Sequence, residues 1–333
     1  MQLRQGALTS PTVPTPLADH QLAEEIQAGD RRALARAITL VESTRSDHRA
    51  RTTALLESVG HRRGHSFRIG ITGTPGVGKS TFIEAFGLHL CNIEGLRIAV
   101  LAVDPSSSRT GGSILGDKTR MAELARHPNA FIRPSPASGT LGGVARRTRE
   151  VLLLCDAAVF DVVIVETVGV GQSETTVAEV TDAFVLLVAP AGGDELQGVK
   201  RGIMELADLI VVNKCDGGLE AQARATLSDY TSALRLMRPT SPAWTPVAVP
   251  ASAVTGYGVA DVWRTLTELR EARAPEMGMR RAEQDRAWFW EEVRGRIIDR
   301  MRADDRTAQL LADVDGGRRT PVGAAEELLA AWG

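Results

Sequence analysis

The chain has 333 residues with 39 basic and 41 acidic side chains, a net charge near −2 that gives no electrostatic reason to expect nucleic-acid binding. Its three cysteines, Cys91, Cys155 and Cys215, lie far apart and never form C-x-x-C, which argues for reduced thiols and against a disulfide framework or zinc site. No apolar run approaches the ~20 residues of a membrane span, and the first twenty residues lack a signal-peptide core or an Arg-rich transit pattern, so a cytoplasmic protein without a membrane partner is expected.

Residues 1–18 are rich in Pro, Thr and Ser and read as a flexible tail. Residues 19–64 read as an N-terminal helical segment. Leu22 and Ile26 share one helical face, Asp30 is placed to cap a second helix, and Leu34, Ala37, Ile38 and Val41 repeat at helical spacing. Leu55, Leu56 and Val59 suggest a third helix. His61-Arg62-Arg63-Gly64-His65 reads as a solvated linker, with contact to an anion or a metal as the alternative.

From 65 to 273 the pattern is that of an α/β domain: a three-layer P-loop NTPase fold with a mostly parallel sheet. Arg68 to Thr72 is a short apolar strand, and an apolar-periodic helix follows from Thr81. Between them Gly73-Thr74-Pro75-Gly76-Val77-Gly78-Lys79-Ser80 fits G-x-x-x-x-G-K-[ST]. Glycines let such a loop wind until several N–H groups point at phosphate oxygens, and the helix N-terminus adds partial positive charge. Lys79 is expected to reach the β- and γ-phosphates, and the Ser80 hydroxyl to sit on Mg²⁺.

Arg97 to Val103 reads as a strand buried on both faces, ending at Asp104, a carboxylate placed to approach Mg²⁺ or its waters. The polar, Gly-rich stretch Pro105 to Met121 offers Asp117 as a second carboxylate and Arg109, Lys118 and Arg120 as charges for phosphate. Phe131 to Arg133 reads as a short strand and Val144 to Cys155 as a helix. Phe160 to Val165 is a further strand, terminating in Glu166, with Gly169 three residues on. That spacing suits a carboxylate holding a Mg²⁺-bound water while the Gly169 N–H meets the γ-phosphate. Val170 stands where Ras-like enzymes carry a water-orienting glutamine, so slow intrinsic hydrolysis is expected, with Gln172, Arg109 and Arg120 as candidates to complete the site when a partner binds.

Ala183 to Val188 and Leu209 to Val212 supply two more strands, the second running into Asn213-Lys214-Cys215-Asp216, an N-K-x-D pattern. A carboxylate at Asp216 accepts from guanine N1–H and N2–H₂ together, and adenine has no such donor pair, so GTP is favoured over ATP. Cys215 reads as a small buried filler. Thr245 to Val249 reads as a last strand, after which Ala251, Ser252 and Ala253 can give a backbone N–H to guanine O6. Val262, Trp263, Leu266 and Leu269 then share a helical face. Residues 274–333 read as a C-terminal helical extension in which Trp288, Phe289 and Trp290 are expected to pack on the preceding domain or on a second subunit.

The blocks AVDPSSSRTGGSILGDKTRM, RPSPASGTLGGV, VETVGVGQSE and GGDELQGVKRGI resemble the MeaB/ArgK/MMAA family of methylmalonyl-CoA mutase-associated GTPases, from about Gly29 to the C-terminus. The resemblance implies a fold akin to the nickel-insertion and signal-recognition GTPases. It implies a GTP- and Mg²⁺-dependent chaperone that gates cofactor loading, protection and reactivation of an adenosylcobalamin-dependent acyl-CoA mutase, with an adenosyltransferase as a further partner. It also implies a homodimer held partly by the C-terminal extension. Carried over by residue, Gly73 to Thr81 hold phosphate; Ser80, Asp104, Asp117 and Glu166 form the metal and water shell; Asn213, Lys214 and Asp216 read guanine. Gly192 to Lys200, with Asp194, Glu195, Gln197 and Lys200, matches the family's additional switch toward its mutase. PAGGD replaces the commoner PGAGD there, and Cys215 the commoner alanine. The rival readings are a kinase linked to amino-acid transport and a nickel-type metallochaperone.

Overall fold

Seven apolar runs become seven strands of one parallel sheet in the computed structural model, which describes residues 16–43, 45–60, 66–104, 121–136, 141–167, 173–190, 201–239 and 241–331. In chain order they are β1 (Phe67–Gly73), β2 (Ile98–Asp104), β3 (Ala130–Pro136), β4 (Val162–Thr167), β5 (Ala183–Val188), β6 (Leu209–Val212) and β7 (Val247–Pro250). Their spatial order is β3-β2-β4-β1-β5-β6-β7, every neighbouring pair parallel. Helices cover both faces of such a sheet, so central strands are apolar at every position rather than at alternate ones. β4, β5 and β6 are buried throughout.

Alternation still decides which face each side chain serves. Val185, Leu187, Leu209 and Val211 join Phe82, Ile83 and Phe86 of α4 (Lys79–Asn92) in one core cluster. Leu186, Val188, Ile210 and Val212 point the other way, onto Ala223, Tyr230 and Leu234 of the helix Glu220–Arg235. β7 is an edge strand, partly exposed, and ends in Pro250, which an edge tolerates because one side of its backbone needs no partner. It begins two residues later than the apolar pattern suggests.

Three helices precede the sheet: α1 (Pro16–Gln27), α2 (Arg31–Glu42) and α3 (Ser46–Val59). α1 begins at Pro16, inside the stretch expected to be tail, because proline suits a first helical turn, where its missing N–H has no partner to lose. The Asp30 carboxylate caps α2, accepting from the N–H groups of Arg32 and Ala33 at 2.6 and 2.9 Å, and these bonds hold its pKa below the usual range. α2 and α3 lie against α5 (Leu141–Ala157), where Arg49 pairs with the buried Glu150 at 2.9 Å. The N-terminal helices are thus packed into the same compact unit as the sheet, Met1–Met277.

One glycine in β1 sets the spacing of a second helix. A Cβ added to Gly70 would lie 2.7 Å from Val177 Cγ1 and 2.9 Å from Thr181 Oγ1, atoms on and just beyond α6 (Ser173–Val180). Gly70→Ala is expected to destabilise the fold by about 1–3 kcal/mol through overpacking, read as a lower urea midpoint at unchanged slope.

The second compact unit, Gly278–Gly333, is helical. With the other helices counted as α7 (Arg201–Leu206), α8 (Glu220–Arg235) and α9 (Val259–Ala272), it comprises most of α10 (Ala274–Arg302), with α11 (Asp305–Asp315) and α12 (Pro321–Ala330). Asp304 and Thr320 cap the last two helices. No residue of α10 is buried, and Phe289 and Trp290 are 59% and 60% exposed, their rings edge to face at 5.3 Å. The apolar composition of this run thus leads to exposed rings at Phe289 and Trp290.

Candidate functional site

The carboxyl ends of β1, β4, β2, β6 and β7 lie on one edge of the sheet, where ligands bind in open α/β folds. At the centre, β1 delivers the chain into the loop 73–78, and α4 begins at Lys79. Gly76 and Gly78 turn the backbone with φ of 82° and 91°, a left-handed conformation that glycine adopts without Cβ strain. A Cβ on Gly78 would sit 3.0 Å from Asn213 Nδ2, and one on Gly76 would meet only open space. Thr74, Pro75 and Gly76 are exposed at the rim, whereas Val77 is buried beneath them. The first N–H groups of α4, from Lys79 to Thr81, have no partner inside the helix by position, which makes that end a site for anions.

Lys79 is only 8% exposed, and its ammonium donates to Gly73 O at 2.7 Å and Thr74 O at 3.3 Å. Burial lowers its pKa below the ordinary lysine value, and the charges of Glu166 and Glu174 oppose that shift. The Ser80 hydroxyl donates to Glu166 Oε1 at 3.2 Å. Glu166 is not the residue that ends its strand: β4 continues to Thr167, whose hydroxyl meets that of Thr72 at 2.8 Å. Register places Glu166 beside Ile71 of β1 and Ala102 of β2, buried at 6%, so the sheet itself fixes the carboxylate next to Ser80. A hydroxyl and a carboxylate oxygen at hydrogen-bond distance are hard donors, the set Mg²⁺ takes beside phosphate oxygens.

Asp104 is the last residue of β2, one register step beyond the pairing of Val103 with Thr167. Its side chain lies outside the described residues, as do Arg109, Asp117, Lys118, Arg120, Gly169, Val170, Gln172, Asp194, Glu195, Gln197 and Lys200. Among the described residues no group of three His, Cys, Asp or Glu side chains gathers as a metal shell.

At the other end of the cleft, Asn213 joins three segments. Its Nδ2 donates to Val77 O at 3.0 Å, its Oδ1 accepts from Ala253 N at 3.2 Å, and its own N–H donates to Val188 O. Lys214, at φ 61°, reaches back so that Nζ donates to Gly76 O at 2.7 Å. Asp216 accepts from the Ser252 hydroxyl. Two of the three N–H groups expected to meet guanine O6 are already used: Ala251 N donates to Val212 O and Ser252 N to Tyr257 O, each at 2.8 Å. The turn 251–257 closes on itself, which leaves Ala253, held by a side chain rather than by backbone, as the donor best placed to be redirected. Cys215 is half-buried rather than buried; its thiol donates to Val212 O at 3.0 Å, and burial pushes its pKa up. It lines a cavity of about 440 Å³ with Ala223, Leu227, Pro250 and Tyr257.

A family model described as methylmalonyl Co-A mutase-associated GTPase MeaB matches residues 34–306. The chain belongs to the MeaB family. A probable GTPase of Mycobacterium tuberculosis is 51% identical over 314 residues, covering 92% of this chain and 93% of the relative. GTPase ArgK of Escherichia coli is 47% identical over 289 residues, covering 85% and 87%. The mouse methylmalonic aciduria type A homolog, a mitochondrial protein by name, is 45% identical over 320 residues, covering 91% and 77%. Among solved structures, a LAO/AO transport system kinase superposes with a TM-score of 0.74 at 36% identity, covering 97% of this chain and 99% of that one. The MeaB chain described here is accordingly a P-loop GTPase with the α/β fold of its class.

Proposed function

We propose that this MeaB-family GTPase is a chaperone of an adenosylcobalamin-dependent acyl-CoA mutase, using GTP binding and hydrolysis to gate cofactor loading, protection and reactivation. The observation that carries the nucleotide part is the stitching of the phosphate loop to the N-K-x-D segment through Asn213 and Lys214, which makes one cleft of a phosphate end and a base end. The family's description as mutase-associated supports the partner.

In this reading the loop N–H groups and Lys79 bind the phosphates, while Ser80 and Glu166, with Asp104 and Asp117, hold Mg²⁺. Mg²⁺, when bound, supplies charge neutralisation at the β- and γ-phosphate oxygens. Glu166, fixed by its register in the sheet, orients water on the γ-phosphate side, and Gly169 gives its N–H there. Asp216 accepts from the guanine edge, and Ala253 faces O6. Asp194, Glu195, Gln197 and Lys200, with Arg109 and Arg120, form the segments that answer to the mutase. The exposed Phe289 and Trp290 favour a homodimer through the C-terminal helices, and the reduced thiols favour the cytoplasm.

The kinase reading draws on the name of the superposed structure, but Asp216 at the base end discriminates against adenine. Single-turnover GTP hydrolysis is expected to rise at least about tenfold when the cell's acyl-CoA mutase is added, a floor well below the ~10³ to 10⁵ that a supplied catalytic group can contribute. Absence of stimulation by any acyl-CoA mutase from the same cell would sink the chaperone reading.

A further inference from the structure

Two carboxylates act on the charge of the phosphate-loop lysine, and a role is assigned above to only one of them. Glu174 lies in the first turn of α6 and is 4% exposed. Its position follows from how α6 meets β1. Glu174, Val177 and Thr181, spaced i, i+3 and i+7, share one face, and all three are buried. Val177 and Thr181 press on Gly70, and just beyond the helix Asp182 N–H donates to Arg68 O at 2.8 Å. α6 therefore runs opposite to β1, its far end near the start of the strand. One turn back from Val177, a rise of roughly 4.5 Å, carries Glu174 toward the loop end of β1, where the Lys79 ammonium sits on Gly73 O. The lysine feels both carboxylates, Glu166 first and Glu174 second.

The two acids differ in their surroundings. Glu166 accepts a hydrogen bond from Ser80 and belongs to the donor set proposed for Mg²⁺. Glu174 makes no hydrogen bond and no ion pair within 4 Å to any described residue. Glu174 thus ties no other element in place, so its presence is not explained by holding the fold together.

We propose that Glu174 determines how strongly the site discriminates nucleoside triphosphate from diphosphate: its buried charge opposes the arriving γ-phosphate, and the repulsion is carried into α6. A γ-phosphate brings negative charge beside a lysine already shared between two acids. Lys79 and the proposed metal offset the phosphate and Glu166 first, which leaves the charge on Glu174 the least compensated. The diphosphate, ending short of this region, does not meet it. The triphosphate state thus loads the helix that rests against Gly70 and is tied to β1 at Arg68, which gives the γ-phosphate a lever on the sheet's outer layer. This inference rests on the reading of the cleft as a guanine nucleotide site.

The test compares dissociation constants for a non-hydrolysable GTP analogue and for GDP, with Mg²⁺, in the full chain and in Glu174→Gln, Glu174→Ala and Glu174→Asp. The two neutral variants are expected to shift the ratio toward the triphosphate by about tenfold, and the aspartate variant to keep the wild-type ratio. A ratio within twofold of wild type in the neutral variants overturns the proposal, as does a shift toward the diphosphate or an equal shift in the aspartate variant. Failure of both neutral variants to fold overturns it too, because a carboxylate that folding requires is structural. Wild-type chain that binds neither nucleotide refutes the underlying site reading instead, so the two failures are distinct.

Discussion

Lys79→Ala is expected to lower single-turnover GTP hydrolysis by at least about 100-fold while leaving the melting temperature within a few degrees of wild type. The ammonium is the positive charge at the phosphate end that the described residues bury, and two acids lie within its field. Removing it leaves Glu166 and Glu174 facing a bound phosphate chain without that counter-charge, so affinity for the triphosphate and stabilisation of charge in the transition state fall together. The fold loses less. Lys79 donates to carbonyls of the loop, not to the core, and truncation also removes a desolvation cost that already lowers its pKa. Hydrolysis retained within about threefold at an unchanged melting temperature would remove Lys79 from the phosphate site, since a group worth so little is not making charge-assisted contacts there.

The parts of this arrangement that the sequence discloses are those where one residue type answers one physical demand. Continuous apolar runs can only be strands covered on both faces, and β1, β2, β4, β5 and β6 lie within a residue or two of where those runs place them. Asp30 before a helical repeat is a cap, and it caps. Less legible is what depends on register between distant strands. Glu166 reads as a strand terminus, but pairing with Ile71 and Ala102 carries β4 one residue further and sets the carboxylate inside the sheet edge. The 251–253 segment reads as three equal donors, and only the pairing of Ala251 with Val212 and the return of the turn to Tyr257 show that two N–H groups are taken. Glu174 closes the block VETVGVGQSE, but nothing in that block assigns it a role. Its signal is an acid sharing a helix face with Val177 and Thr181 opposite a strand glycine, and that is visible only once α6 is laid on β1. The aromatic run on α10 shows the converse: an apolar composition predicts burial, yet Phe289 and Trp290 are exposed.

At the base end, Asp216→Asn is expected to exchange one nucleotide for another rather than abolish binding. Guanine presents two donors side by side, N1–H and N2–H₂, and a carboxylate with two acceptor oxygens matches both. An amide keeps one acceptor and places its NH₂ against the guanine amino group, donor against donor, so affinity for GTP should fall by about 10²- to 10⁴-fold. Xanthine keeps N1–H but carries a carbonyl at C2, so the amide oxygen accepts from N1–H while the amide NH₂ donates to that carbonyl, and xanthosine triphosphate should become the preferred ligand. ATP should gain nothing, because adenine offers a C–H where guanine offers its amino group. The loop itself should survive the change: the Ser252 hydroxyl that donates to Asp216 can rotate to donate to an amide oxygen or accept from an amide nitrogen. Asn213 and Lys214 keep the loop tied to Val77 and Gly76 in either case. Competition binding with the three triphosphates decides the matter. An inverted preference fixes Asp216 on the base edge, whereas an undiminished preference for GTP would move base recognition elsewhere in the cleft.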